Sequence, residues 1–310
     1  MRTARCKESI CIYGISGSGK TVKVAEFAEV VKAALGRDKI VRLASVSGGG
    51  WKSIQADIDE GLIRPCWLRS RDYATYTIDK ITKGWWPVDP EDPASPLVPP
   101  DKQPDWPQVG GIAYETGTEM CNWMMEDGLE REAETGGAFH IGSEKASHVY
   151  KDGPTNDQEA YASAAKAHFG AVQNRIAQFI NQSKDIEDRF ILWNFLEGKG
   201  KDPVFKQACY GPDVIGTALT GDVPSWFDRT LRITVTMQGT VVTRSLMTNV
   251  HFEAGDPIPY LANARSPKQC PIPTALRGAD FDLYRFYELL TASYTKAREI
   301  IKAKNAGIKP

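Results

Sequence analysis

The sequence predicts an α/β fold with a mainly parallel sheet, an antiparallel hairpin at one edge and a helix at the C-terminal end. Three observations predict it. Short apolar runs alternate with amphipathic helical stretches through the first two-thirds of the 310 residues, the order expected of helices packed on a parallel sheet. Two β-rich runs, 231–237 and 240–249, flank Gln238 and Gly239, a hairpin signal. Residues 281–307 form one amphipathic pattern stopped by Gly307.

The elements follow in order. Residues 8–13, ESICIY, are a short apolar run ending at Gly14 and read as a buried strand. GISGSGKT (14–21) follows. Next comes a helix with Val24, Phe27, Val30 or Val31, and Leu35 at helical spacing and Gly36 as its stop. Residues 40–44 are a second strand, leading into the turn SGGGW at 47–51. Residues 52–60 read as helical, 62–68 as a short strand, and 72–84 as a helix ending at Gly84. The stretch 85–107 holds eight of the nineteen prolines with Trp85, Trp86 and Trp106; it reads as an extended, irregular excursion, because proline lacks an amide donor. VGGIAYE (109–115) is an apolar strand ending in a carboxylate, and 117–134 is helical. Residues 135–156 are Gly-rich and polar, a mobile loop; a long helix spans 157–184. RFILWNF (189–195) is the clearest strand, and the Gly/Lys-rich stretch 197–216 reads as a loop.

Composition narrows the function. Hydrophobic residues make up 42% and charged residues 25%, which excludes wholesale disorder. The net charge is −1, so no basic coat covers the protein, yet residues 1–50 and 261–310 each carry nine Lys/Arg against four Asp/Glu. A local nucleic-acid surface needs only such a stripe. The six cysteines form no CxxC pair and the four histidines lie far apart. These features, without a signal-like start or an apolar run of membrane length, predict reduced thiols and a cytoplasmic protein with no membrane partner.

GISGSGKT fits G-x-x-x-x-G-K-[ST] at every fixed position, between a predicted strand and a predicted helix, the context this phosphate-binding loop requires. Glycines let the chain curl so that amides point at phosphate oxygens, and the helix N-terminus adds its dipole. Gly14, Ser16, Gly17, Ser18, Gly19, Lys20 and Thr21 are therefore the predicted nucleotide-binding residues. Lys20 is expected on the β/γ-phosphates and Thr21 on Mg²⁺. ATP with Mg²⁺ is the expected ligand. A carboxylate at the end of a neighbouring strand is also required. Glu115 is the expected partner of the metal, through water, and of the attacking water; Glu197 is its rival. Asn194, near the end of RFILWNF, either senses the γ-phosphate or bonds to backbone.

The order of these motifs resembles the RecA-like P-loop ATPases encoded by bacteriophages, the phage nucleotide-binding proteins linked to single-strand annealing and recombination. The matching stretches are GISGSGKT, SGGGWKSIQADIDEGLI, VGGIAYET, FGAVQNRIAQFI with RFILWNFLEGKGKD, YGPDVIGTALTGDVPSWFDRTLRI and YLANARSP, across roughly residues 8–270. The resemblance implies a RecA-like P-loop NTPase core, residues 1–270, with 85–107 as an insertion and 271–310 as a helical extension. It implies an oligomeric ATPase acting on single-stranded DNA with phage recombination or replication proteins in the host cytoplasm. By position Lys20 and Thr21 match the family's Walker A residues and Glu115–Thr116 an Asp-Ser/Thr pair. Asn194 matches a γ-phosphate sensor, and Lys199, Lys201 and Lys206 lie in the place of a DNA-contacting loop. One departure matters: the family's acidic residue after the second strand is missing, since LASVSGGG offers only Ser45 and Ser47. Slow hydrolysis, or a double role for Glu115, follows.

Arg265, in the turn ANARSP, is a candidate trans-acting finger, as are the three lysines. Solvated loops also carry such charges. The three tryptophans either stack bases or pin the proline-rich stretch to the surface. Two other functions remain open: a P-loop kinase for a small molecule or nucleotide, which the Pro- and acid-rich connections disfavour, and a nucleotide-gated assembly protein with little turnover.

Overall fold

Strand β1 (Glu8–Gly14) lies deep in a large mixed sheet in the computed structural model, which describes residues 6–71, 73–135, 157–202, 207–215 and 219–305. In chain order the further elements are α1 (Val22–Leu35), β2 (Ile40–Ser45), α2 (Gln55–Asp59), β3 (Ile63–Trp67), α3 (Ala74–Thr82), β4 (Trp86–Pro87), β5 (Leu97–Val98), β6 (Val109–Glu115), α4 (Gly117–Thr135), α5 (Asp157–Lys184), β7 (Phe190–Lys201), β8 (Ala208–Pro212), β9 (Arg229–Gln238), β10 (Val241–Met247), β11 (Asn249–His251), β12 (Tyr260–Asn263), β13 (Ala275–Arg277) and α6 (Leu283–Asn305).

Strands β3, β2, β6, β7, β1 and β9 run parallel in that spatial order. Period-two alternation sorts their side chains onto two faces. Cys11, Tyr13, Tyr114, Trp193 and Phe195 meet α3, α4 and α5 on one face. Ile10, Ile12, Leu43, Leu192 and Leu231 meet α1 and α6 on the other. The result is three layers, and the chain returns to the carboxyl ends of the parallel strands at Gly14, Ser45, Glu115 and Leu196, where ligands of open α/β sheets gather.

The expected hairpin is formed by β9 and β10, but it is not the last pair on its side, because β13 adds antiparallel to β10. Residues 271–305 therefore contribute a strand to the sheet and, through Leu283, Phe286 and Leu290 of α6, part of the core over α1.

Two expected irregular stretches are ordered. The 197–216 stretch is not a simple loop: β7 runs on to Lys201 and pairs antiparallel with β8 (Glu197↔Pro212, Lys199↔Tyr210). The proline-rich excursion closes on itself through β4 and β5 and is fastened to the sheet. Arg42, 1% exposed, donates to Gln103 and to Asp105 Oδ1 (2.6 Å) beneath the rings of Trp86 and Trp106. These two tryptophans thus face the protein body, and Trp85 lies beside Lys80. Most of the expected loop at 135–156 lies outside the described residues, as does Lys206. Among the described residues no helix is long and apolar enough to cross a membrane.

Candidate functional site

Loop 14–21 leaves β1 and turns at once into α1. Gly17 (φ 74°) and Gly19 (φ 103°) take left-handed backbone angles that a side chain would strain, which is why the curl needs glycine there. Ser18 is fully buried and its Oγ has no hydrogen-bond partner among the described residues. Lys20 folds back on the loop: its Nζ donates to the carbonyls of Gly14 (2.9 Å) and Ile15 (2.8 Å). Burial lowers its pKa to about 8, with Glu115, Glu119 and Glu197 pulling it back up.

Thr21 Oγ1 donates to Glu115 Oε1, so the register of β1, β7 and β6 joins the end of the glycine loop to a carboxylate ninety-four residues away. Glu115 is 5% exposed and its Oε2 has no partner. Burial raises its pKa, opposed by the Thr21 hydrogen bond and Lys20. The peptide bond after it is cis. Gly50, in the 47–51 turn, closes the other side of Thr21; a Cβ there would meet Thr21 Oγ1 at 2.6 Å. Ser45 Oγ donates to the Ser47 carbonyl (2.7 Å), and no acid comes from that turn.

Sequence reasoning missed Glu119. It sits in the first turn of α4, where the Thr116 hydroxyl caps the helix by accepting from the Glu119 amide (3.2 Å). Its negative charge acts on the Lys20 ammonium and repels Glu115, and its buried Oε2 has no hydrogen-bond partner among the described residues. The pattern Thr116-x-x-Glu119 is a capping-box signal that was visible in the sequence.

The other expected residues fall in four places. Asn194 reaches the loop from beneath: its Nδ2 donates to the Lys20 carbonyl (3.2 Å) and its Oδ1, buried, has no partner. Glu197 is engaged by Arg232, whose Nε and Nη2 hold both its oxygens (2.6 and 3.2 Å); Arg232 also pairs with Glu253 and lies 3.5 Å over the Tyr260 ring. Lys199 and Lys201 are exposed on the β7–β8 ribbon, Lys199 beside the Tyr210 ring. Arg265 is remote. Its backbone carbonyl accepts from Tyr294, its guanidinium donates to Ser225, and it lines a recess with Lys7 and Glu8 at the opposite end of β1 from Gly14.

Taken together, loop 14–21 presents left-handed glycines, an orphaned buried hydroxyl, a lysine of lowered basicity, a threonine–glutamate pair and a second carboxylate. Hard oxygen donors of this kind suit Mg²⁺, which is commonly held by one or two carboxylates together with substrate phosphates. Among the described residues no cluster of three His, Cys, Asp or Glu side chains is assembled for a metal.

No protein-family model matches the sequence, and no curated protein matches it. Among solved structures the chain is similar to the RadB recombinase, with 11% identity and a TM-score of 0.37, over 79% of this chain and 81% of that chain.

Proposed function

We propose that loop 14–21 binds ATP with Mg²⁺ and that the protein hydrolyses it as a RecA-like ATPase. The observation that carries this reading is the Thr21–Glu115 pair at the mouth of a glycine loop whose lysine, among the described residues, donates only to the loop's own carbonyls. Both contacts are ones a triphosphate and its metal would replace. Lys20 would leave Gly14 and Ile15 for the β/γ-phosphates. Thr21 would hold Mg²⁺ directly and Glu115 through water; when bound, the ion neutralises charge on the β- and γ-oxygens. Asn194 fixes the start of α1 by holding the Lys20 carbonyl.

Glu119 is the carboxylate for the attacking water. Glu115 is assigned to Mg²⁺ through water, and the 45–47 turn supplies no acid, so Glu119, whose charge acts on Lys20 and Glu115, takes the role. Water attacks the γ-phosphorus, its proton passes to the Glu119 carboxylate, and the bond between the γ-phosphorus and the bridging oxygen breaks to release ADP. A second carboxylate favours turnover over a nucleotide-gated assembly protein that only binds.

The biological setting we infer is single-stranded DNA handling by a homo-oligomer in phage recombination or replication. The sequence resemblance supports it, as do the exposed Lys199 and Lys201 on the ribbon, which carry the charge that phosphate backbone requires.

ATP binding and phosphate release by the wild type and three variants test the site. Lys20→Ala should lose binding. Glu119→Gln should keep binding and lose about 10²–10⁴-fold in turnover, the usual share of a general base. Glu115→Gln should raise the Mg²⁺ concentration needed for half-maximal turnover. A wild type that binds no ATP sinks the reading; full turnover by Glu119→Gln removes that residue from its role. Stimulation by single-stranded DNA, lost in Lys199→Glu/Lys201→Glu, checks the setting.

A further inference from the structure

We infer that Arg244, on the β9–β10 hairpin, is a phosphate clamp supplied to the nucleotide by the same chain. β1 pairs with β9 only as far as Gly14↔Ile233. β13 stays alongside β10 as far as Ser245↔Arg277, and beyond that point the hairpin continues by itself, from Val235↔Arg244 to Gln238↔Val241. It projects past the carboxyl ends of the parallel strands, on the side where the glycine loop emerges.

Alternation sets the direction of its side chains. Leu246 is fully buried in the layer under α1. Arg244, two residues earlier on the same strand, faces the same way but lies beyond the core, over the loop. A Cβ placed on Gly19 would stand 4.0 Å from both Cδ and Nε of Arg244. No described residue provides a hydrogen-bond or ion-pair partner for the Arg244 side chain. A guanidinium carries five donors, and here it lies beside the glycine curl.

The inference rests on the ATP reading of the loop and adds which phosphates are gripped. In loops of this kind the backbone cradles the α- and β-phosphates, while the lysine takes the β/γ pair. Gly19 belongs to the cradle, so a guanidinium beside it addresses the α/β end. ADP and ATP should therefore depend on Arg244 equally. That differs from a trans-acting finger, which addresses the γ-phosphate and acts on turnover.

The test is equilibrium binding of N-methylanthraniloyl-ADP and N-methylanthraniloyl-ATP to the full chain and to Arg244→Ala and Arg244→Lys. The expected result is a ten- to hundredfold loss for Arg244→Ala with both nucleotides, the range of a charge-assisted hydrogen bond. Partial recovery is expected for Arg244→Lys, which keeps the charge without the fork. The far-ultraviolet circular dichroism of both variants should match the wild type, since the residue is exposed. Wild-type affinity in Arg244→Ala overturns the inference and leaves the loop reading intact. A loss confined to the triphosphate overturns the α/β assignment. A wild type that binds neither nucleotide overturns the loop reading, and this inference with it.

Discussion

Glu26→Ala should destabilise the protein by about 3–5 kcal/mol, the cost of leaving one partner of a buried ion pair alone. Lys23 follows the glycine loop by two residues, on the first turn of α1, and its side chain is only 1% exposed. Its ammonium donates to both oxygens of Glu26 at 2.8 Å and to the Phe281 carbonyl at 2.9 Å, and lies 3.7 Å from the Phe281 ring centre. Glu26 in turn accepts from the Leu283 amide at 2.6 Å, tying down the first turn of α6. Burial lowers the Lys23 pKa, and Glu26 opposes that shift. Truncating Glu26 strands the ammonium with one carbonyl and a ring, and orphans a helix N-terminal amide. The amide adds about 1 kcal/mol, while the surviving carbonyl and ring hold the total within the quoted range. Urea unfolding followed by circular dichroism measures the loss. The companion variant Lys23→Met/Glu26→Ala removes the stranded charge and should recover at least about 2 kcal/mol of it. A single-variant loss below about 1 kcal/mol, or a double variant no more stable than the single, would refute the claim that this pair locks α6 to the helix leaving the loop.

Two further predictions follow from charge. The Lys20 pKa of about 8 lies below that of an unfolded lysine because the folded site is dry; the unfolded chain keeps its proton from pH 8 to about 10.4, so this group's contribution to stability rises with pH in that window. Phosphate needs the protonated form, so ATP affinity should fall roughly tenfold per pH unit above 8, with proton uptake in calorimetry across buffers of different ionisation enthalpy; a flat profile from pH 7 to 9.5 would argue that Lys20 is charged throughout. Burial works against the Asp105 carboxylate, but the hydrogen bond and charge of Arg42 hold its pKa below the ordinary value. Its stabilising contribution is therefore complete above about pH 4 and lost as pH falls through the lower folded value. Asp105→Asn should remove that part of the acid limb in pH-dependent unfolding and cost about 2–3 kcal/mol at pH 7; an unchanged acid limb would put the carboxylate outside the Arg42 network.

What was legible in the sequence is what local pattern controls. VGGIAYE coincides with β6, and the long helical pattern coincides with α5, because continuous burial and helical periodicity leave a mark within a few residues. The β7–β8 ribbon escaped because Glu197, Lys199 and Lys201 meet no core, so the strand carries no apolar alternation and its glycines read as loop. β12 and β13 are four and three residues long and are fixed by strands earlier in the chain, β8 and β9 for β12 and β10 for β13. At the site, the glycine loop announces itself through fixed spacing. Thr21 meeting Glu115 and Arg244 meeting Gly19 depend on sheet register, which no local pattern encodes. Glu119 stood in a readable capping signal, but that signal speaks of a helix start and not of a carboxylate whose charge reaches the glycine-loop lysine.

Arg42 changes how the tryptophan- and proline-rich stretch should be understood. A permanent cation in the middle of an interior strand is tolerable only while Gln103, Asp105 and two indole faces surround it. The stretch and that strand position therefore form one structural cassette. Excising the stretch, or grafting it onto a related scaffold with an aliphatic residue at position 42, would leave one half of the joint without the other.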